Sequence, residues 1–291
     1  MHSIVAQIKW MRGLVVLSAL LIAACGCDAW KLSACKVDKD CPCLDIKKCS
    51  KRREVDVDVR IGNSGIVRDV QRFKQVWVTN VNASSLRDAC VLVCLISAPL
   101  GTLLDNYHGL FGVLSYNSNA LPYQVMSPMT DGSPVLKSAA FVPFLFSFAG
   151  LMMSFLQVTL DVLFQTPMQK RSPTWSQTFS AIGVFSLQYY LSGLLDFYEC
   201  SHVLINIFLT IYAFLGWHFF DNTKAGFALG LLTAIAGPSV ELILINIPHL
   251  YVYTHADFLG ICTWIPAVYF FGAPAVGSLT RSIYNHHNRY K

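Results

Sequence analysis

The sequence predicts an all-α membrane protein, a six-transmembrane-helix bundle preceded by a basic, Cys-containing N-terminal extension. Three observations predict it. Hydrophobic residues make up 54% of the 291 and charged residues only 13%, against roughly 25% charged in a soluble domain, so the apolar excess is too large for one globular core. Charge is also segregated: fifteen of the 22 Lys and Arg lie in residues 1–87, and the others (Lys137, Lys170, Arg171, Lys224, Arg281, Arg289 and Lys291) fall between or beyond apolar runs. Finally, those runs are long and continuous rather than alternating, which selects helices, because a segment in lipid must satisfy its own backbone amides.

Taken in order, residues 1–24 are a signal-like hydrophobic segment, in which Lys9 and Arg12 precede an apolar stretch over 13–24. Residues 25–87 form the Cys-containing basic extension, with six of the ten cysteines at 25, 27, 35, 41, 43 and 49. Clustered Cys behind such a segment points to disulfides in an oxidising lumen, whereas the basic residues 51–87 point to the cytosol; a cleaved signal and a cytosolic extension both stay open. The spacing is not that of a zinc site. The membrane domain occupies 88–283, with spans at 89–113, 139–164, 176–196, 201–220, 225–247 and 258–280, and 284–291 form a cytosolic tail. Pro99, Gly101, Asp105, Asn106 and His108 interrupt the first span. Lys170, Arg171, Lys224, Arg281 and the stretch before the first span all fall on one face, so both ends of the bundle are expected in the cytosol. Asp221–Lys224 is then a tight cytosolic turn between the fourth and fifth spans, and the sequon at Asn82 tests the topology.

Several residues invite chemistry. Gly226, Gly230 and Ala234 recur every four residues in the fifth span, and Ala273 and Gly277 do so in the sixth, which permits close helix packing within the bundle or against a partner. Asp161, Asp196 and Glu199 sit at span ends, where they are expected to be wetted. Glu241 differs, because it lies inside the fifth span after Pro238 and Ser239. It reads as a kink-side group satisfied by backbone or Ser239, as a polar group of a ligand cavity, or as a proton-coupling carboxylate. The histidines are scattered, with no H-x-x-H-H cluster, no G-x-S-x-G elbow and no P-loop, so no catalytic residue, metal or cofactor is assigned and nucleic acid is not expected as a partner.

A family resemblance rests on five stretches in order: "AAFVPFLFSFAG" from 139, "TWSQTFSAIGVF" at 174–185, "GLLDFYE" at 193–199, "GWHFFDNTKAGFALG" at 216–230 and "YTHADFLGICTWIPAVYFFGAPAVG" at 253–277. Together they resemble the insulin-induced gene (Insig) proteins, sterol-responsive regulators of the endoplasmic reticulum membrane. The resemblance implies a six-helix bundle with a cavity for a sterol, an oxysterol in particular. It also implies a Scap-like sterol-sensing partner held with SREBP, and delivery of HMG-CoA reductase to ubiquitin ligase machinery. By matching position, Phe185 and Trp217 are implied at the sterol site, His202 and Leu204 compete for a family Gln, and Asp221 is implied as a partner-docking carboxylate. This sequence departs from the family at Asn222, where an Arg is usual, and at Glu241, where the family has uncharged polar residues. A small transporter built on Glu241 and a Cys-rich membrane-anchored receptor are the rival readings.

Overall fold

The computed structural model describes residues 75–127 and 134–289. The signal-like segment, the six clustered cysteines and the tail's last two residues lie outside the described residues. Six long helices dominate: α1 (Ala83–Phe111), α2 (Val142–Leu163), α4 (Trp175–Phe197), α5 (His202–Phe220), α6 (Lys224–Asn246) and α7 (Ile265–Arg289), with a short α3 (Met168–Arg171) between α2 and α4. Four of them, α1, α2, α5 and α6, are long and apolar enough to cross a membrane on their own. Of the other two, α7 carries polar residues for a reason visible in the packing: it runs down the middle, against α6, α4, α1, α5 and α2, and its residues from Phe270 to Ile283 are buried. A helix enclosed by protein can keep Thr280, Arg281 and Ser282 where a lipid-facing helix cannot.

Local signals set the helix ends. The Asn82 side chain accepts from the amides of Ser84 and Ser85 to start α1, and Gly112, at φ 72°, ends it by donating to the His108 carbonyl. Thr174 and Gln177 form a reciprocal capping box on α4, and the Thr223 hydroxyl accepts from the Gly226 amide to open α6. The interruptions expected in the first span do not break it. The α1 helix passes through Pro99 unbroken, because tight packing against α2 holds it there: Ser97 lies against Gly150, and Phe146 occupies the space beside Gly101. Its polar residues Asp105, Asn106 and His108 are turned inward. The last helix is displaced from the expected 258–280: residues 258–264 form a loop, and the helix continues to Arg289, through most of the expected tail.

The loops on the face away from Lys224 contain strands that apolar periodicity does not announce. β1 (Leu114–Tyr116) pairs antiparallel with β4 (Tyr251–Tyr253), Leu114 opposite Tyr253 and Tyr116 opposite Tyr251. β2 (Pro122–Met126) pairs with β3 (Pro134–Ala139). Asn106 staples that hairpin to α1, donating to the Val135 carbonyl at 3.1 Å and accepting from the Lys137 amide at 2.7 Å. The two small sheets therefore cap one face of the bundle, and the cation-rich turns close the other.

Candidate functional site

Two buried polar clusters stand out, one near each face. On the cation-rich face, Arg281 of α7 grips Asp161 of α2 with both ends of its fork, Nε to Oδ2 at 2.8 Å and Nη2 to Oδ1 at 2.7 Å. Its Nη1 donates to Asp221 Oδ2 at 2.8 Å and its Nη2 to the Thr223 hydroxyl at 3.1 Å. Asp221 also accepts from the amide of Thr223 at 2.9 Å and from its hydroxyl. The side chains of Arg281, Asp161 and Asp221 are 3%, 6% and 0% exposed, so one guanidinium ties α2, the α5–α6 turn and α7 together out of contact with water. Gly226 is required here, since any Cβ would overlap the Asp221 carboxylate. Trp217 completes the turn, donating from Nε1 to the Thr223 carbonyl at 3.1 Å.

These positions correct three expectations. Asp161 is not a wetted end group but a buried ion-pair partner, Asp196 is likewise buried, and Arg281 sits inside a packed helix rather than in a loop. Each charge is tolerated because an opposite charge or a hydrogen bond meets it. Asp221, implied as a docking carboxylate, is wholly committed inside the chain.

Near the opposite face is a chamber lined by α1, α2, α4, α6, α7 and the paired strands β1 and β4. Tyr253 and Tyr269 both donate to Glu241, each at 2.6 Å, one per carboxylate oxygen. Ser239 bonds instead to the Ile235 carbonyl, so Glu241 is satisfied by two tyrosines rather than by backbone or Ser239 as expected. Across the cavity, Asp105 accepts from the Tyr116 hydroxyl and from Ser138 at 3.4 Å. Burial, reinforced by the neighbouring carboxylates, holds the strand phenols of Tyr116, Tyr251 and Tyr253 well above their ordinary range, so all three stay neutral and Tyr116 and Tyr253 donate to the carboxylates. His108 is stacked on Tyr189 at 4.5 Å, with its Nε2 2.9 Å from the Ser192 hydroxyl; that hydroxyl donates to the Tyr189 carbonyl, so the imidazole is the donor of the pair. The space between these groups is about 30 Å³, enough for a water-sized group or two.

The residues implied at a sterol site do not share one cavity. Phe185 is 8% exposed and lies edge-on to Tyr189 and Phe271, with its ring seated on Gly272. Trp217 packs on Phe227 beside the Asp221 turn. His202 lies at the far end of α5, its Nδ1 2.6 Å from Asp257, and His255 pairs with Asp196 at 3.1 Å. Tyr189, which lines the chamber with Glu241, lies edge-on to Phe185 and connects the two. A continuous aromatic path does join two of the positions: Phe185 touches Phe271, and Phe271 in turn packs on Gly216 and Phe220, next to Trp217 and Asp221. Gly226, Gly230 and Gly277 serve packing within the bundle. Gly230 faces Phe270 of α7 and Gly277 faces Gln157 of α2, while Ala234 lies against the central core.

Both clusters escaped a reading by apolar runs. A lone Arg near the end of the last run and an Asp at the end of the second were the available signal for the clamp. For the chamber it was the Tyr-x-Tyr at 251–253, which puts both rings on one side of a strand.

Fold and composition define the class: a multi-pass helical membrane protein. No protein-family model matches the chain. Its resemblance to the Insig family is borne out in sequence and in fold. The insulin-induced gene 1 protein of Danio rerio is 29% identical over 149 residues, 51% of this chain and 58% of that protein. The Homo sapiens protein of the same name is 28% identical over 149 residues, 51% of this chain and 52% of that protein. The matched segment thus spans little more than half of the relatives' length. In fold, the crystal structure of MvINS, a mycobacterial Insig homolog from Mycobacterium vanbaalenii, superposes with a TM-score of 0.54 over 71% of this chain and 96% of that one, at 19% identity.

Proposed function

We propose that this chain is a non-enzymatic, sterol-responsive regulatory protein of the endoplasmic reticulum membrane. In this reading an oxysterol favours its complex with a Scap-like sterol-sensing protein, retaining SREBP, and promotes turnover of HMG-CoA reductase. The observation that carries the proposal is the similarity to insulin-induced gene 1 proteins over 149 residues, in a chain whose fold matches an Insig homolog.

The packing suggests how such a switch would work. A sterol has roughly 25–30 heavy atoms and needs a cavity of at least about 300 Å³, so α4 and α7 must separate around Phe185 to admit it. The ligand therefore acts by its differential affinity for an opened bundle, and its apparent affinity is reduced by the fraction of molecules that are open. Movement of Phe185 would reach the Asp221 turn through Phe271 and the end of α5, a contiguous chain of packed rings. Asp221 then serves docking indirectly, by holding the shape of the turn that a partner meets. Asn222, where the family has Arg, suits that turn: its φ is 50°, and Asn tolerates the left-handed region better than most residues.

The test is rescue in cells lacking their own Insig proteins, with the full chain at matched expression and an SREBP-cleavage reporter. Restored oxysterol suppression that survives Lys224→Ala and fails in Asp221→Asn is the expected outcome. No suppression by a correctly inserted wild-type chain would overturn the regulatory assignment.

A further inference from the structure

The chamber has an unresolved charge problem. Asp105 and Glu241 are 9% and 6% exposed, line one cavity and lie within electrostatic range of each other, yet no Lys or Arg lines that cavity. Tyrosine hydrogen bonds spread the two negative charges without cancelling them. In a low-dielectric interior two such charges do not persist side by side unless a proton or a cation joins them.

A second observation selects between these. Tyr189 and Tyr251 also line the cavity and are 7% and 5% exposed, but their hydroxyls have no hydrogen-bond partner among the described residues. Both lie within electrostatic range of both carboxylates. A proton on one carboxylate would meet the charge alone, leaving those two phenol oxygens to water in the cavity. A cation carrying several N–H donors would satisfy carboxylates and phenols at once, with aromatic faces around it. Size narrows the choice: about 30 Å³ accepts a water-sized group and excludes a trimethylammonium or a sterol ring system. No group of three or more His, Cys, Asp or Glu suited to a metal ion occurs among the described residues, which argues against a polyvalent metal.

We propose that the Asp105–Glu241 chamber binds a primary ammonium group, presented by a membrane amine or by a small free amine. The cavity wall on α2 includes Leu145 and Phe146, and the neighbouring Phe144 and Phe148 are exposed at 76% and 62%, so membrane lies on the outer side of that wall. The site stands independently of the sterol reading.

The test uses the full chain in phosphatidylcholine nanodiscs, with thermal unfolding followed by intrinsic fluorescence. Decylammonium is expected to raise the midpoint saturably, and decyltrimethylammonium and decanol are not. Ammonium chloride, compared with tetramethylammonium chloride, separates the sources: stabilisation by ammonium alone assigns a free amine, and stabilisation by decylammonium only assigns a membrane amine. Glu241→Gln and Asp105→Asn should each weaken the effect at least tenfold. Tyr251→Phe, which removes no hydrogen bond from the fold, should weaken it several-fold even if the carboxylate variants do not fold. A folded wild type that shows no saturable shift, or a Tyr251→Phe protein with an undiminished response, overturns the proposal.

Discussion

At the scale of single residues, the Arg281 clamp dominates the energetics. Removing one partner of a buried, hydrogen-bonded ion pair leaves the other charge unmet, which costs about 3–5 kcal/mol. Arg281→Ala is therefore expected to lower stability by that amount in detergent unfolding, and a double-mutant cycle with Asp161→Ala should show strong coupling. A loss below about 1 kcal/mol, the range of exposed pairs, would contradict the burial described here. A second residue-scale prediction concerns Asp257. Partial burial raises its carboxyl, but hydrogen bonds from Thr263 and His202 outweigh that and hold it below the ordinary range. A depressed folded value contributes stability above the unfolded pKa of about 3.9 and loses it as pH falls through the folded one. Hydrogen-exchange protection in residues 254–263, taken relative to the intrinsic rate at each pH, should fall in that acid range, and Asp257→Asn should abolish the pH dependence of that protection; an unchanged profile would remove this pair from the account. Neither feature was fully legible in the sequence. A charge near the end of an apolar run reads as loop chemistry until a partner sixty or more residues away is known, and Arg281 finds Asp221 and Asp161 only through tertiary packing.

At the scale of elements, the six apolar runs located six helices because each run must satisfy its own amides, and cap residues such as Thr174 and Thr223 lie where the runs begin. The four strands were hidden, since three to six residues of mixed polarity carry no distinctive period and their pairing joins segments far apart in the chain. The shifted final helix has a related cause: burial of α7 on most sides removed the polarity cues that mark a span end. Glycine placement supplies an element-level prediction. A Cβ at Gly216 would come within 2.5 Å of the Phe271 ring, whereas one at Gly183 meets nothing within 4 Å. Gly216→Ala should therefore cost about 1–3 kcal/mol through overpacking. Gly183→Ala should be neutral or stabilise by up to about 1 kcal/mol through helix propensity. Equal thermal stabilities for the two variants would contradict the close α5–α7 approach.

For the whole molecule, fold and family resemblance were legible because five stretches kept their order and spacing, while the ligand site was not: the implied residues Phe185, Trp217, His202 and Glu241 are distributed along the bundle, and Phe185 is closed over by Phe271 and Tyr189. By the charge rule the Asp221 turn and the start of α1 are expected in the cytosol, so Asn82, whose side chain caps α1, should remain unglycosylated in cells. Modification at Asn82 would invert the bundle. The central claim is that a sterol enters this bundle by opening it around Phe185. The most direct measurement is photo-crosslinking of a sterol probe to the purified full chain, competed by unlabelled oxysterols and cholesterol, in wild type, Phe185→Ala and Asp221→Asn. Saturable labelling, lost in Phe185→Ala and retained in a folded Asp221→Asn, is the result predicted; a folded wild-type protein without saturable, competable labelling would contradict it.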